Sequence, residues 1–124
     1  MVVNRMSGPS IVISATFTAD AIEPALSFWM RELGFDYRIR MAPYNQVFQF
    51  LLDPAGALAS NRDGVNVVLV RFEDWAHTQN GADLARLETD VYHFAVSLKE
   101  AAPSFAVPLV VCICPCLLYT SRCV

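Results

Sequence analysis

An α/β fold built on a parallel sheet follows from three features of this sequence. Short apolar, β-branched runs alternate with segments in which apolar residues recur at helical spacing. One run, Val65 to Val70, is almost continuously apolar, as in a strand covered on both faces. Polar, turn-forming residues come directly after the runs, where the ligand-facing loops of an open α/β sheet lie. At 124 residues the chain is one domain by size, and its 55% hydrophobic content supplies a core.

Ile11 to Ala15, bounded by Gly8-Pro9 and by the polar Thr16-Phe-Thr18, reads as the first strand. Ile22, Ala25, Leu26, Trp29, Met30 and Leu33 then recur at helical spacing, and Gly34 is the stop. Asp20 with Glu23 has the spacing of a capping box, and Pro24 is tolerated in a first turn. Tyr37, Ile39 and Met41 alternate with Arg38 and Arg40, which predicts a second strand near a sheet edge, ended by Pro43. Val47, Phe48, Leu51 and Leu52 form one face of a short second helix closed by Asp53-Pro54. Asn61 to Gly64 is a turn, Val65 to Val70 the third strand, and Gln79 to Asp83 a loop. A third helix is expected over Val91 to Ala102, and a fourth strand over Val107 to Cys114. This order predicts a three-layer parallel sheet with helices on both faces. Its post-strand loops place Thr16 and Thr18, then Pro43 to Gln46, then Arg71 to Asp74 on one rim.

The net charge of −3 and the lack of a basic run argue against nucleic acid as a partner. Residues 1–9 form an N-terminal tail without the apolar core of a signal peptide, so a cytoplasmic location is expected. The apolar run from Phe105 to Tyr119 is shorter than the roughly 20 residues of a spanning helix. It also contains Pro108 and Pro115, and its β-branched content points to a buried strand rather than to a membrane segment.

The last residues, Cys116-Leu-Leu-Tyr-Thr-Ser-Arg-Cys-Val124, resemble a translated transposon mosaic-end adapter of sequencing libraries. Cys-Leu-Leu-Tyr-Thr-Ser is encoded by TGT CTC TTA TAC ACA TCT, and Arg-Cys-Val by the inverted copy AGA TGT GTA, whose next codon is a stop. Residues 116–124 are therefore set aside from fold reasoning, as a fusion scar would be. Of the four cysteines only Cys112 and Cys114 then remain, sharing one face of a strand. Two thiols are too few for a structural zinc site, and small buried hydrophobes in a reducing compartment are the expectation.

Several blocks resemble the N-terminal region of FkbH-like proteins, HAD-superfamily enzymes (HAD-IIIC type) of polyketide and nonribosomal peptide biosynthesis. They are Ala15-Thr-Phe-Thr-Ala19, Glu23-Pro24 with Phe28-Trp29, Ala42-Pro-Tyr-Asn-Gln-Val-Phe-Gln49, Leu52-Asp-Pro54 and Gly64 through Trp75. Together they cover most of residues 10–75, with a weaker likeness at Phe105 to Pro115. The resemblance implies an SGNH-hydrolase- or flavodoxin-like α/β domain over residues 10–115, truncated after about the fourth strand. It also implies a downstream HAD catalytic domain in the same chain. In such a parent protein the HAD part uses Mg²⁺ and transfers a glyceryl-type unit to an acyl or peptidyl carrier protein. The HAD signature Asp-x-Asp-x-Thr does not occur in this chain, so no cofactor is expected in the fragment itself.

The residues offer little catalysis of their own. An SGNH-type nucleophile needs Gly-Asp-Ser after the first strand, where this chain has Ser14-Ala-Thr-Phe-Thr18. The oxyanion-hole Asn after the third strand is replaced by Arg71-Phe-Glu-Asp74, and a hydroxyl without a positioned base is a weak nucleophile. Glu73 and Asp74 could bind Mg²⁺, but without a third ligand they read as solvated or helix-capping carboxylates. His77 and His93 are isolated from other ligand types, and Trp29 and Trp75 read as core or interface aromatics. Tyr44, Asn45, Gln46 and Gln49 supply a phenol and three amides at a strand-to-helix turn. They serve either backbone satisfaction or recognition of a ligand or partner domain. The candidate rim is thus Thr16, Thr18, Tyr44, Asn45, Gln46, Gln49, Glu73 and Asp74, with no catalytic residue and no metal site assigned. The rival readings are an SGNH-like acyl hydrolase and a stand-alone module that docks a carrier protein. Re-sequencing the locus from a library made without transposase is expected to replace Cys116 to Val124 with an open frame. Recovery of the same residues followed by a stop overturns the adapter assignment.

Overall fold

A computed structural model describes residues 8–43, 45–78 and 81–114. Tyr44, the 116–124 tail, and with them residues 1–7, 79–80 and 115, lie outside the described residues. Strands β1 (Ser10–Ala15), β2 (Arg38–Met41) and β3 (Gly64–Val70) are joined through helices α1 (Ile22–Leu33) and α2 (Val47–Leu52). A single turn of helix α3 (Glu73–Ala76) follows, then a two-strand hairpin of β4 (His77–Thr78) and β5 (Gly81–Ala82). Helix α4 (Leu84–Ala101) leads through a 3₁₀ turn at Ala102–Ser104 into β6 (Leu109–Ile113). The main sheet is parallel, with strand order β2-β1-β3-β6. This is an α/β fold compatible with a flavodoxin-like layout.

Period-two alternation sorts the strand residues onto two faces. Val12, Val68 and Val70 face α2 and α4 and pack with Val47, Leu51, Leu58, Phe94 and Ala101. Ile13, Ala15 and Leu69 face α1, with Ala19, Ile22 and Leu26 against them. Among the described residues no helix is long and apolar enough to cross a membrane.

Both α1 and α2 occupy the residues expected from their apolar spacing. Gly34, at φ +77°, ends α1 in a Schellman motif, its N–H on the Arg31 carbonyl and the Phe35 N–H on that of Met30. The capping box does not form. Asp20 lies one position too early, because the N-cap is Ala21, and the Glu23 N–H donates instead to the Asp20 backbone carbonyl at 3.1 Å. Helix α4 starts at Leu84, well before Val91, because Asp83 caps it by accepting the Arg86 N–H at 3.1 Å. Its first turn is exposed, with Leu84 among the exposed side chains, so apolar spacing carries no signal there. Residues 81–82, read as loop, lie in the hairpin.

The fourth strand departs furthest from expectation. It forms, but it is not buried: Val110, Val111, Cys112 and Ile113 are exposed. Within the described sheet β6 has a neighbour on one edge only, β3. The reading of Cys112 as a buried hydrophobe is corrected for the same reason, while Cys114 is half-buried.

At the N-terminal edge of the sheet a polar knot joins β1, β3 and the loop before β3. The Asn61 amide lies 3.0 Å from Asn66 Oδ1 and 3.2 Å from each of the Ser10 and Val65 carbonyls. Asn66 in turn donates to the Leu58 carbonyl at 2.8 Å, and it is fully buried. Gly64, at φ +120°, lets the strands approach here, since a Cβ would overlap the Ser10 carbonyl oxygen. Gly64→Ala is expected to cost about 3 kcal/mol or more in urea unfolding. Gly8→Ala, where a Cβ meets nothing closer than 3.9 Å, should stay within about 0.5 kcal/mol.

Candidate functional site at the strand-order reversal

In a sheet ordered β2-β1-β3-β6, the chain leaves β1 in one direction and β3 in the other. In open α/β sheets the usual ligand position lies between the carboxyl ends of two such strands. Thr16 follows β1 and Arg71 follows β3, so both stand at this point. The Thr16 N–H continues the ladder by donating to the Leu69 carbonyl at 3.1 Å.

The side chains close into one network. Thr16 Oγ1 donates to Asp74 Oδ2 at 2.7 Å and accepts the Arg71 backbone N–H at 3.0 Å. Arg71 grips Asp74 with two bonds, Nε to Oδ2 at 3.1 Å and Nη2 to Oδ1 at 2.8 Å. Its guanidinium carbon sits 4.6 Å from the centre of the Phe17 ring. Bidentate geometry and partial burial make this pair stronger than a solvent-exposed ion pair. The turn that leads into α3 sets the spacing, because the Asp74 N–H donates to the Arg71 carbonyl at 3.1 Å and brings the two side chains, three residues apart, to one side. Asp74 is therefore ion-paired and neither solvated nor capping, which corrects the sequence reading.

Glu73 is half-buried, and its Oε2 is shielded from solvent with no hydrogen-bond partner among the described residues. Asn45 reaches the same rim through its backbone: its N–H donates to the Ala15 carbonyl at 2.8 Å, with φ at +60°. The side chains of Thr18, Asn45, Gln46 and Gln49 are exposed, and no hydrogen bond joins them to the Thr16 network. Cys114 leaves β6 beside this rim. Burial pushes its thiol pKa up, Cys112 and Glu73 add to the shift, and the Val70 backbone bond and Arg71 oppose it.

Beneath the rim Trp75 packs against Phe48, Phe72 and Phe94 with ring centres 5.3 to 5.8 Å apart, a core role. Trp29 is more than half exposed, so a core role is excluded for it. His93 is exposed beside Tyr92, and His77 opens β4. Among the described residues no group of three or more His, Cys, Asp or Glu is placed to hold a metal ion. Sequence reasoning placed the Arg71 to Asp74 loop on the rim but left Arg71 out of the candidate residues, although it pairs with Asp74 and donates its backbone N–H to Thr16. The available signal was the Arg-x-x-Asp spacing directly after an apolar strand.

Chemically this arrangement is a lock: Thr16 Oγ1 accepts one backbone N–H and donates to Asp74, and both Asp74 oxygens are held by Arg71, so hydroxyl, carboxylate and guanidinium fix one another in place. Ser14 does not substitute for Thr16, because it is fully buried inside β1. Comparison with protein-family models, with curated proteins and with solved structures gives no match. Thr16→Val, which removes both bonds of the hydroxyl, is expected to cost about 1–3 kcal/mol in urea unfolding. Thr16→Ser should retain most of that stability, and equal losses in the two variants overturn the lock.

Proposed function

We propose that this chain is the leading, non-catalytic α/β region of an FkbH-like HAD-family protein of polyketide or nonribosomal peptide assembly. Its role is architectural and recognitional, with an SGNH-like layer that continues into a HAD catalytic domain downstream in the same polypeptide. One observation carries the non-catalytic part: the side chains at the strand-order reversal, Thr16, Asp74 and Arg71, are engaged with one another. A network of this kind suits the positioning of loops. The family part rests on the linked sequence blocks between residues 10 and 75.

In this reading the exposed amides of Asn45, Gln46 and Gln49 face a partner, either the downstream domain or a carrier protein. Mg²⁺ and the transfer of a glyceryl-type unit belong to the HAD domain. A cytoplasmic setting suits such assembly chemistry and the two free thiols, Cys112 and Cys114.

The test has two arms. The purified chain should show no turnover of p-nitrophenyl acetate or p-nitrophenyl phosphate above buffer, and genomic DNA downstream of Pro115 should encode Asp-x-Asp-x-Thr. Ester hydrolysis abolished by Ser14→Ala or Thr16→Ala overturns the non-catalytic reading in favour of an SGNH-like hydrolase. A downstream frame with Asp-x-x-His and no Asp-x-Asp-x-Thr overturns the family.

A further inference from the structure

A polar cleft of about 250 Å³ lies at the amino end of β1 and β3, the opposite end of β1 from Thr16. Ser10, Arg40, Ser60, Asn61, Arg62 and Asp63 line it. Arg40 belongs to β2, where it stands in register with Val12, so its side chain shares a face of the sheet with Ser10. Arg62 and Asp63 come from the loop that enters β3.

Most of the neutral polar groups in this cleft are already engaged. The Asn61 amide is taken up by Asn66 and by the Ser10 and Val65 carbonyls. Ser60 Oγ donates to the Ala57 carbonyl at 3.3 Å, and the Asp63 carbonyl accepts the Ser10 N–H at 2.8 Å. The charged side chains are a different matter. Arg71 is bound to Asp74, and Arg86 reaches Asp90 at 4.0 Å. Arg40 and Arg62 have neither an ion pair nor a hydrogen bond among the described residues. In a chain of net charge −3, two such guanidiniums on one cleft make a local site for negative charge.

We propose that this cleft binds inorganic hydrogen phosphate, with Arg40 and Arg62 on its charged oxygens and Asp63 accepting its proton. The site is separate from the Thr16 network, and it stands or falls independently of the family reading.

Three features select this ligand. Two guanidinium forks match the charge of a dianion and present paired N–H donors to its oxygens. Asp63, on the same cleft, repels an oxyanion that has only lone pairs and accepts a hydrogen bond from one that keeps an O–H. Sulfate has no such proton, and a phosphate monoester, with a second pKa of about 6, has lost its own at neutral pH. Inorganic phosphate keeps one. Size supplies the third feature, because the cleft is smaller than the roughly 300–1,000 Å³ that larger organic ligands occupy. The walls are also firm. Arg40 is carried by a paired strand, and Arg62 follows Asn61, whose amide is fixed in the buried knot. Arginines on an edge strand also discourage wrong strand pairing, but that role gives no preference between phosphate and sulfate.

The experiment titrates the isotope-labelled 124-residue chain with sodium phosphate, sodium sulfate and methyl phosphate at about pH 7.5, where the monoester is a bare dianion. Sodium chloride holds the ionic strength constant, so that screening is equal in all three. The amide resonances of Arg40 and of Ser60 to Asp63 are followed. Phosphate is expected to give saturable shifts centred on these residues, with sulfate and methyl phosphate about tenfold or more weaker. Arg40→Gln and Arg62→Gln should each weaken phosphate binding about tenfold or more. Both side chains are exposed, and unchanged resonances of Thr16 and Asp74 report an intact fold. Asp63→Asn, which exchanges the carboxylate for an amide that can donate, should bring sulfate up to the affinity of phosphate. Equal affinities for phosphate and sulfate in the unsubstituted chain overturn the proposal, and so do shifts that never saturate. Unchanged phosphate affinity in either arginine variant, or an Asp63→Asn chain that still rejects sulfate, also overturns it.

Discussion

Everything in this fold hangs on the parallel pairing of β1 with β3. These strands run side by side from Ser10 and Gly64 to Ala15 and Leu69, and each supplies side chains to both cores. The pairing is fastened at its two ends by different chemistry. At the amino end the Asn61–Asn66 amides and a glycine without a Cβ hold the strands close. At the carboxyl end a hydroxyl and an ion pair tie the loops together. Apolar burial between these ends is non-directional and cannot fix register alone. The polar groups can, because a one-residue slip would leave buried amides unpaired at a cost of about 1–3 kcal/mol each.

The carboxyl-end fastening also bears on what the domain does. Open α/β sheets place their ligands where strand order reverses, and here the residues at that place are spent on one another. Outside that network the exposed groups are the side chains of Asn45, Gln46 and Gln49 on the β2 side and those of Val110, Val111 and Ile113 on β6.

Much of the architecture was legible in the chain. Apolar spacing located α1 and α2, alternation located β2, and apolar β-branched runs located the other strands of the main sheet. What escaped was set by contacts that burial does not record. The start of α4 depends on the Asp83 cap and an exposed first turn, and α3 is too short to show a period. The Asp20–Glu23 pair has the right spacing but sits out of phase with the helix start. At the rim, residue types and loop position were enough to single out Thr16 and Asp74. Their direct bond, shared with Arg71, is a long-range fact that only the folded chain states. Asn66 within the apolar run Val65 to Val70 was a readable clue, since an amide inside a buried strand requires a partner.

The strand order carries a consequence for biosynthesis. Of the described strands the first to be translated becomes an inner strand of the sheet, and β2, which pairs with only one of its edges, is made next. The other edge of β1 stays bare until Gly64 to Val70 has been translated, and Val12 and Ile13, buried in the finished sheet, stay uncovered until then. Translation speed across the intervening segment therefore sets how long a sticky half-sheet persists. Slow codons before Gly64 would lengthen its exposure to chaperones and to neighbouring nascent chains, and rapid delivery of β3 would shorten it.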